Sequence, residues 1–292
     1  MTTILETKNL VKSYGKMDAV KNINLKLEQN TIYGLLGKNG AGKTTLLNMI
    51  SGHIFSDHGE IKIFDTILNP GDSPINFCYI KEKSIYFNRS TVMEILKFAS
   101  SFHKHWDWDY TNHLIKTFQI NPNKKFKKLS KGMESIIGII IGLASREPLT
   151  IFDEPLLGLD VVMREKFYNV LLEDYAENPR TILLSTHLID EISKIVEKVY
   201  ILDQGNIKLY DDIDNIRNQS NYVSGKGDIL VPFLEEKNVI HRENHGQLTI
   251  AAVYDSFNET EITEANQLDI SIEAMPLQKF LAYYCAGGDQ NE

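Results

Sequence analysis

Four segments of the chain are apolar at almost every position: TIYGLLG (31–37), LTIFD (149–153), TILLS (181–185) and VYILD (199–203). A strand with one wet face alternates, whereas an unbroken apolar run suits a parallel strand covered on both faces. Other stretches place apolar residues three and four apart, such as TTLLNMIS (44–51) and VMREKFYNVLLEDYAE (162–177), and predict helices. Strand and helix in alternation predict an α/β fold with a parallel sheet. Residues 1–30 and GEIKIF (59–64) alternate more and predict an antiparallel β flank. Residues 85–145 keep helical spacing, carry the aromatic-rich FHKHWDWDY (102–110), and predict a helical insertion.

After residue 217 the pattern changes. NQSNYVSGKGD (218–228) reads as a loop. VIHREN (239–244), QLTIAAVY (247–254) and LDISIEAM (268–275) read as short strands, and PLQKFLAYYC (276–285) as a terminal helix. The expected organisation is a main domain over 1–217 and a small accessory α+β domain over 218–292.

Composition changes this picture little. Hydrophobic residues make up 42% and charged residues 24%, as in ordinary globular chains. A net charge of −8 argues against general nucleic-acid binding. Cys78 and Cys285 are far apart and lack metal spacing, so they read as reduced thiols. The N-terminus lacks the apolar core of a signal peptide. The longest apolar run, IIGIIIGLA (136–144), falls short of the ~20 residues a span requires. The chain is therefore expected to be soluble, with any membrane span supplied by another polypeptide.

The chemistry sits in the turns after the strands. Residues 37–44 read GKNGAGKT, which fits G-x-x-x-x-G-K-[ST] with a strand before it and a helix after. Gly37, Gly40 and Gly42 let backbone N–H groups turn inward at a helix start, where the dipole favours anions. Lys43 can reach β- and γ-phosphates, and the Thr44 hydroxyl can ligate Mg²⁺. LTIFDE (149–154) brings Asp153 to a strand end, suited to Mg²⁺, and then Glu154, suited to activate a water. Between them lies KKLSKGMES (127–135), within a run of five lysines from Lys124 to Lys131. By charge alone that run is a solvated basic turn.

Taken in order, Tyr14, GKNGAGKT, YIKE (79–82), LSKGM (129–133), FDEP (152–155), GLD (158–160) and STH (185–187) resemble the ATP-binding cassette of ABC transporters over about residues 4–215. The resemblance implies a P-loop ATPase fold whose helical part, 85–145, bears the signature motif. It implies that Lys38, Asn39, Ala41 and Thr45 join Gly37, Gly40, Gly42, Lys43 and Thr44 around the phosphates of ATP. Tyr14 would stack on adenine and His187 would contact the γ-phosphate. Glu82, where relatives carry glutamine, would approach Mg²⁺ with Thr44 and Asp153 and couple to the membrane partner. Asp160 would lie at a dimer interface, and it also suits a helix N-cap. Two cassettes, of the same or different chains, would pack head to tail. Ser130, Gly132 and the helix beginning around Met133 would then close over the partner's ATP.

LSKGM departs from the family's usual LSGGQ, and ESII (134–137) departs from its usual polar run. Trp106 and Trp108 are expected to anchor a helix or to line a groove for a membrane partner. The aromatic lead-in is similar to a bacterial subgroup that exports peptides or antimicrobial compounds, near the staphylococcal exporters of phenol-soluble modulins. The implied function is ATP hydrolysis coupled to transport, at the inner face of the cell membrane through separate permease subunits. The alternative is a cassette ATPase of translation or repair. Translation factors carry two cassettes per chain, and long repair ATPases need a coiled coil, which this pattern lacks. A non-catalytic regulatory cassette is disfavoured by the presence of Glu154 and His187.

Overall fold

The structure, a computed structural model, describes residues 2–81 and 89–286. These pack as two units, one up to His187 with Leu202–Ile207, the other Leu188–Ile201 with the chain from Lys208 onward.

The first unit opens with β1 (Thr3–Tyr14) and β2 (Met17–Glu28), an antiparallel pair, followed by β3 (Ile32–Leu36) and α1 (Lys43–Ile50). Strands β4 (His58–Ile63) and β5 (Thr66–Ile67) extend the pair into a four-stranded antiparallel sheet, β2-β1-β4-β5. Its inward residues, among them Leu5, Leu10, Val20, Ile23, Leu25 and Leu27, are buried. After β6 (Phe77–Ile80) come α2 (Val92–Ser100), α3 (Trp108–Thr117) and α4 (Lys131–Ala144), the expected helical insertion. The chain then runs through β7 (Leu149–Asp153), α5 (Val161–Glu177) and β8 (Thr181–Thr186).

Strands β3, β8, β7 and β6 lie side by side in that order, all parallel. Every residue of β3, β7 and β8 is buried, which is why each is apolar at most positions and not at alternate ones. The register pairs Leu36 with Thr186 and Asp153 with Ser185. All three strands therefore end at one level, and the residues just beyond them meet.

Helix α4 sits tightly on this sheet. A Cβ on Gly142 would lie 2.4 Å from the Phe152 ring, so only glycine allows this approach. Glycine in a helix costs about 1 kcal/mol relative to alanine, and close packing on β7 offsets it. Capping fixes the helix starts. Thr91 and Glu94 form a capping box on α2, Asp107 caps α3 and Ser130 caps α4. Helix α4 begins at Lys131, two residues earlier than expected, which puts Gly132 inside its first turn.

Arg146, just after α4, pairs with Asp107 and Asp174, and Arg180 pairs with Asp174 at 2.6 Å. Asp174 and Arg180 are buried, so this network ties α3, α4, α5 and the start of β8 together. Trp106 and Trp108 lie beside it, their rings 5.8 Å apart.

The elements after β8 are α6 (Ile189–Ile192), β9 (Lys198–Asp203), β10 (Asn206–Asp212), α7 (Ile213–Gln219), β11 (Ser220–Lys226) and α8 (Gly227–Phe233). Then follow β12 (Val239–His245), β13 (Leu248–Tyr254), α9 (Glu259–Gln267), β14 (Ser271–Ala274) and α10 (Leu277–Ala286). In the second unit the last four strands form an antiparallel sheet in the order β12-β13-β11-β14. Residues 218–228 are not the expected loop: they supply β11, an inner strand of this sheet. One face of the sheet packs Val223, Ala251 and Val253 against Leu230, Leu234, Ala265 and Ile270. Among the described residues no helix is long and apolar enough to cross a membrane.

Candidate nucleotide site

The strand ends of the parallel sheet carry the site. Beyond β3 the loop Gly37–Gly42 turns into α1. Gly42 has φ +104°, and a Cβ there would lie 2.3 Å from the carbonyl of Ala19, so this position requires glycine twice over. Lys38, Asn39 and Gly40 are exposed at the loop tip, and the Ala41 N–H donates to the Lys38 carbonyl at 3.1 Å. The first helical turn presents Lys43, Thr44 and Thr45.

Lys43 is only 6% exposed and folds back over the loop, donating to the Gly37 carbonyl at 2.7 Å. Its ammonium is also 3.5 Å from the Glu154 carboxylate. Thr44 Oγ1 donates to Asp153 Oδ2 at 2.9 Å, joining α1 to the end of β7. Asp153 is buried, and its other oxygen, Oδ1, has no hydrogen-bond partner. Burial pushes this carboxyl above its usual range, and the adjacent Glu154 charge adds to the effect against the Thr44 bond. A buried oxygen lacking a partner costs free energy, and a hydroxyl beside it completes a hard-oxygen pair. These residues fit a divalent cation such as Mg²⁺.

Glu154 adopts a left-handed backbone, φ +50°, which a non-glycine residue rarely takes. Its N–H donates to the Ser185 carbonyl at 2.8 Å, which holds the turn in place. The side chain is thereby brought to the end of β8. Thr186 Oγ1 donates to it at 3.0 Å, and His187 Nδ1 lies 3.1 Å from both carboxylate oxygens. A carboxylate only accepts, so Nδ1 carries the hydrogen in this pairing and the ring is oriented by it.

Two residues at the site were not foreseen. Thr186 buttresses Glu154, and Tyr79, on β6, donates to Asp153 at 3.4 Å. Burial, with the Asp153 charge beside it, drives the Tyr79 phenol far above its ordinary pKa, so it stays a donor. Both stand inside quoted motifs, YIKE and STH, but neither was given a role there; strand order brings them to the two carboxylates.

The LSKGM segment belongs to a second cluster. Ser130 Oγ accepts from the Met133 N–H at 3.3 Å, capping α4. A Cβ on Gly132 would lie 2.5 Å from the Gly158 carbonyl, and Ser135 Oγ donates to the Leu157 carbonyl at 2.8 Å. Asp160 accepts from the Met163 N–H at 2.9 Å and caps α5. Signature and GLD segments thus form one wall whose exposed lip carries two helix starts. Tyr14 stands half exposed at the end of β1, with the Lys12 ammonium 5.7 Å from its ring. Glu82 lies outside the described residues.

A phosphate loop on a parallel sheet, with Asp-Glu and histidine at the neighbouring strand ends, is the ATP-binding class of P-loop protein. The family model "ABC transporter" matches residues 20–157, and one for AAA domains matches 125–194. The bacitracin transport ATP-binding protein BcrA of Bacillus licheniformis is 32% identical over 212 residues, 71% of this chain and 69% of its own. The ABC transporter ATP-binding protein YtrB of Bacillus subtilis is 27% identical over 218 residues, 74% of each chain. A solved ATP-binding subunit of an ABC transporter superposes with a TM-score of 0.66 at 28% identity, covering 74% of this chain and 93% of that one. A cassette solved as a dimer with ADP and phosphate shares the fold, with a TM-score of 0.64 at 21% identity over 72% of this chain and 99% of its own. This chain belongs to the ABC transporter family as an ATP-binding subunit, and it is an ATPase.

Proposed function

We propose that ATP is hydrolysed at the strand ends of β3, β7 and β8, with Glu154 as general base. The observation that carries this is the single level at which Lys43, Asp153, Glu154 and His187 meet, within 2.9–3.5 Å of one another or of Thr44. The loop N–H groups and Lys43 bind the β- and γ-phosphates, Tyr14 stacks on adenine, and Thr45 completes the first-turn contacts. Lys43 leaves Glu154 for the phosphates as ATP enters. Glu154 is then released to take a proton from the attacking water, while His187 holds the γ-phosphate in line. Thr44 and Asp153, with Glu82, would hold Mg²⁺, which would supply neutralisation of charge on the phosphate oxygens.

Ser130 and Gly132, at the N-terminus of α4, face the γ-phosphate held by a second cassette, with Asp160 at that interface. The segment 1–217 works as the cassette and 218–292 as an accessory domain. Permease subunits supply the membrane span and hold the chain at the inner face. The BcrA relatives, named for bacitracin transport, support a peptide or antimicrobial cargo; a role like that of the phenol-soluble-modulin exporters is the narrower form of this reading.

Replacing Glu154 by Gln keeps the shape and removes the base. ATP binding should persist while turnover falls by about 10²–10⁴. Wild-type turnover in this variant, measured by phosphate release, would remove Glu154 from the role.

A further inference from the structure

The face of the C-terminal sheet opposite its apolar core is unlike an ordinary solvated face. Register aligns His241, Ala252, Tyr222 and Glu273 in one row across β12, β13, β11 and β14. The next row is Glu243, Ile250, Ser224 and Ser271. On the two inner strands the small Ala252 and Ser224 sit diagonally between Tyr222 and Ile250, and these four floor a trough. Tyr283 from α10 forms one wall. Its ring stacks on His241 at 4.2 Å with 9° between planes, and meets Tyr222 edge-on at 6.5 Å. The cavity is about 270 Å³.

Three features select its occupant. The size lies just below the ~300 Å³ at which pockets begin to take whole small molecules, so it suits one side chain or a molecule of that size. Three aromatic rings, Tyr222, His241 and Tyr283, line it, and aromatic rings attract cations through their quadrupole. Glu243 and Glu273 flank it, and no lysine or arginine is among the lining residues; Lys226 lies one row further along the same face. Hydrogen bonds from His241 and His245 hold Glu243 below the usual carboxylate range. Glu273 accepts from Ser271 at 3.1 Å. Three strand spacings separate the two carboxylates, roughly 14 Å, so they cannot share a metal ion. Each is still within about a Debye length of a charge seated over Ala252 and Tyr222.

We propose that this trough binds an organic cation of side-chain size, a guanidinium or alkylammonium group. An anion would face two carboxylates, and an apolar group would gain nothing from them. The source is either a basic residue of another polypeptide or a free small cation, and the chemistry of recognition is the same.

The test titrates the full chain with methylguanidinium, with an acetylated Gly-Arg-Gly amide, and with the same peptide carrying citrulline. Ring resonances of Tyr222, His241 and Tyr283 are followed by NMR. Saturable shifts are expected with both cations and none with the citrulline peptide. A peptide much tighter than methylguanidinium identifies a polypeptide source; equal affinities identify a free cation. Glu243→Gln with Glu273→Gln should weaken binding roughly tenfold, and Ser224→Leu, filling the floor, should abolish it, both without change in ATPase rate. Equal shifts from arginine and citrulline, no saturable shift at millimolar cation, or undiminished binding in the folded Ser224→Leu chain would overturn the proposal.

Discussion

Asp153 and Glu154 are adjacent in sequence and face different tasks because their backbones differ. Asp153 ends a strand with its side chain buried, while Glu154 turns through φ +50° and reaches across to Thr186 and His187. The Asp-Glu pair and the phosphate loop were legible as sequence, because each is a contiguous motif at a strand end. Thr186 and Tyr79 stood inside STH and YIKE, but their contacts with Glu154 and Asp153 were not legible, because these come from strand order in the sheet. If Asp153 holds Mg²⁺ with Thr44, Asp153→Asn should abolish the gain in ATP affinity that Mg²⁺ gives the wild type. Titrations of a fluorescent ATP analogue with and without Mg²⁺ check this; an unchanged Mg²⁺ effect would remove Asp153 from the metal site.

At the scale of elements, apolar runs of five to seven residues announced β3, β7, β8 and β9, whose residues are almost all buried. SNYVSGK, which is β11, escaped for the opposite reason. Val223 is its one aliphatic side chain, and the strand is held by pairing on both edges, with β13 and β14. Helix α4 makes a sharp prediction. Gly142→Ala gains about 1 kcal/mol of helix propensity but forces a methyl against the Phe152 ring, costing about 1–3 kcal/mol. Urea unfolding should therefore show a net loss of stability, and a gain would mean that α4 does not pack this closely.

The loop after α2 gives a second. Burial pulls His103 down, but the Cys78 sulfur and the Glu147 carboxylate, 2.8 Å away, outweigh it and raise its pKa to about 9. The folded state therefore holds this proton more tightly than the unfolded state, whose histidine titrates near the ordinary 6.5. The stabilisation is complete below pH ~6.5 and is lost as pH rises through about 9. Glu147→Gln should flatten that fall in unfolding free energy; a slope equal to wild type would contradict the pairing.

At the scale of the whole molecule, buried charge holds the helical insertion to the sheet. Asp174 accepts from both Arg146 and Arg180. Arg146 keeps Asp107, but removing Asp174 leaves the buried Arg180 without its carboxylate, so Asp174→Ala should cost about 3–5 kcal/mol in chemical denaturation. A change near zero would mean that water reaches this network. The sequence pattern disclosed the insertion's helices but not this tie, whose four members are spread from residue 107 to residue 180.

The insertion matters because it carries LSKGM, and the lysine-rich segment read by charge alone as a solvated turn. In the structure it divides: Ser130 caps α4 and Gly132 sits against Gly158, while the flanking Lys127 and Lys128 are exposed. This wall is proposed to complete the ATP site of a second cassette, and two variants of this chain test that most directly. A Lys43→Ala chain and a chain disabled at Ser130 should each be inactive alone. Mixed, they should regain ATPase activity, because one site of the mixed dimer joins an intact phosphate loop to an intact signature. A mixture that forms dimers with ATP yet stays inactive would contradict it.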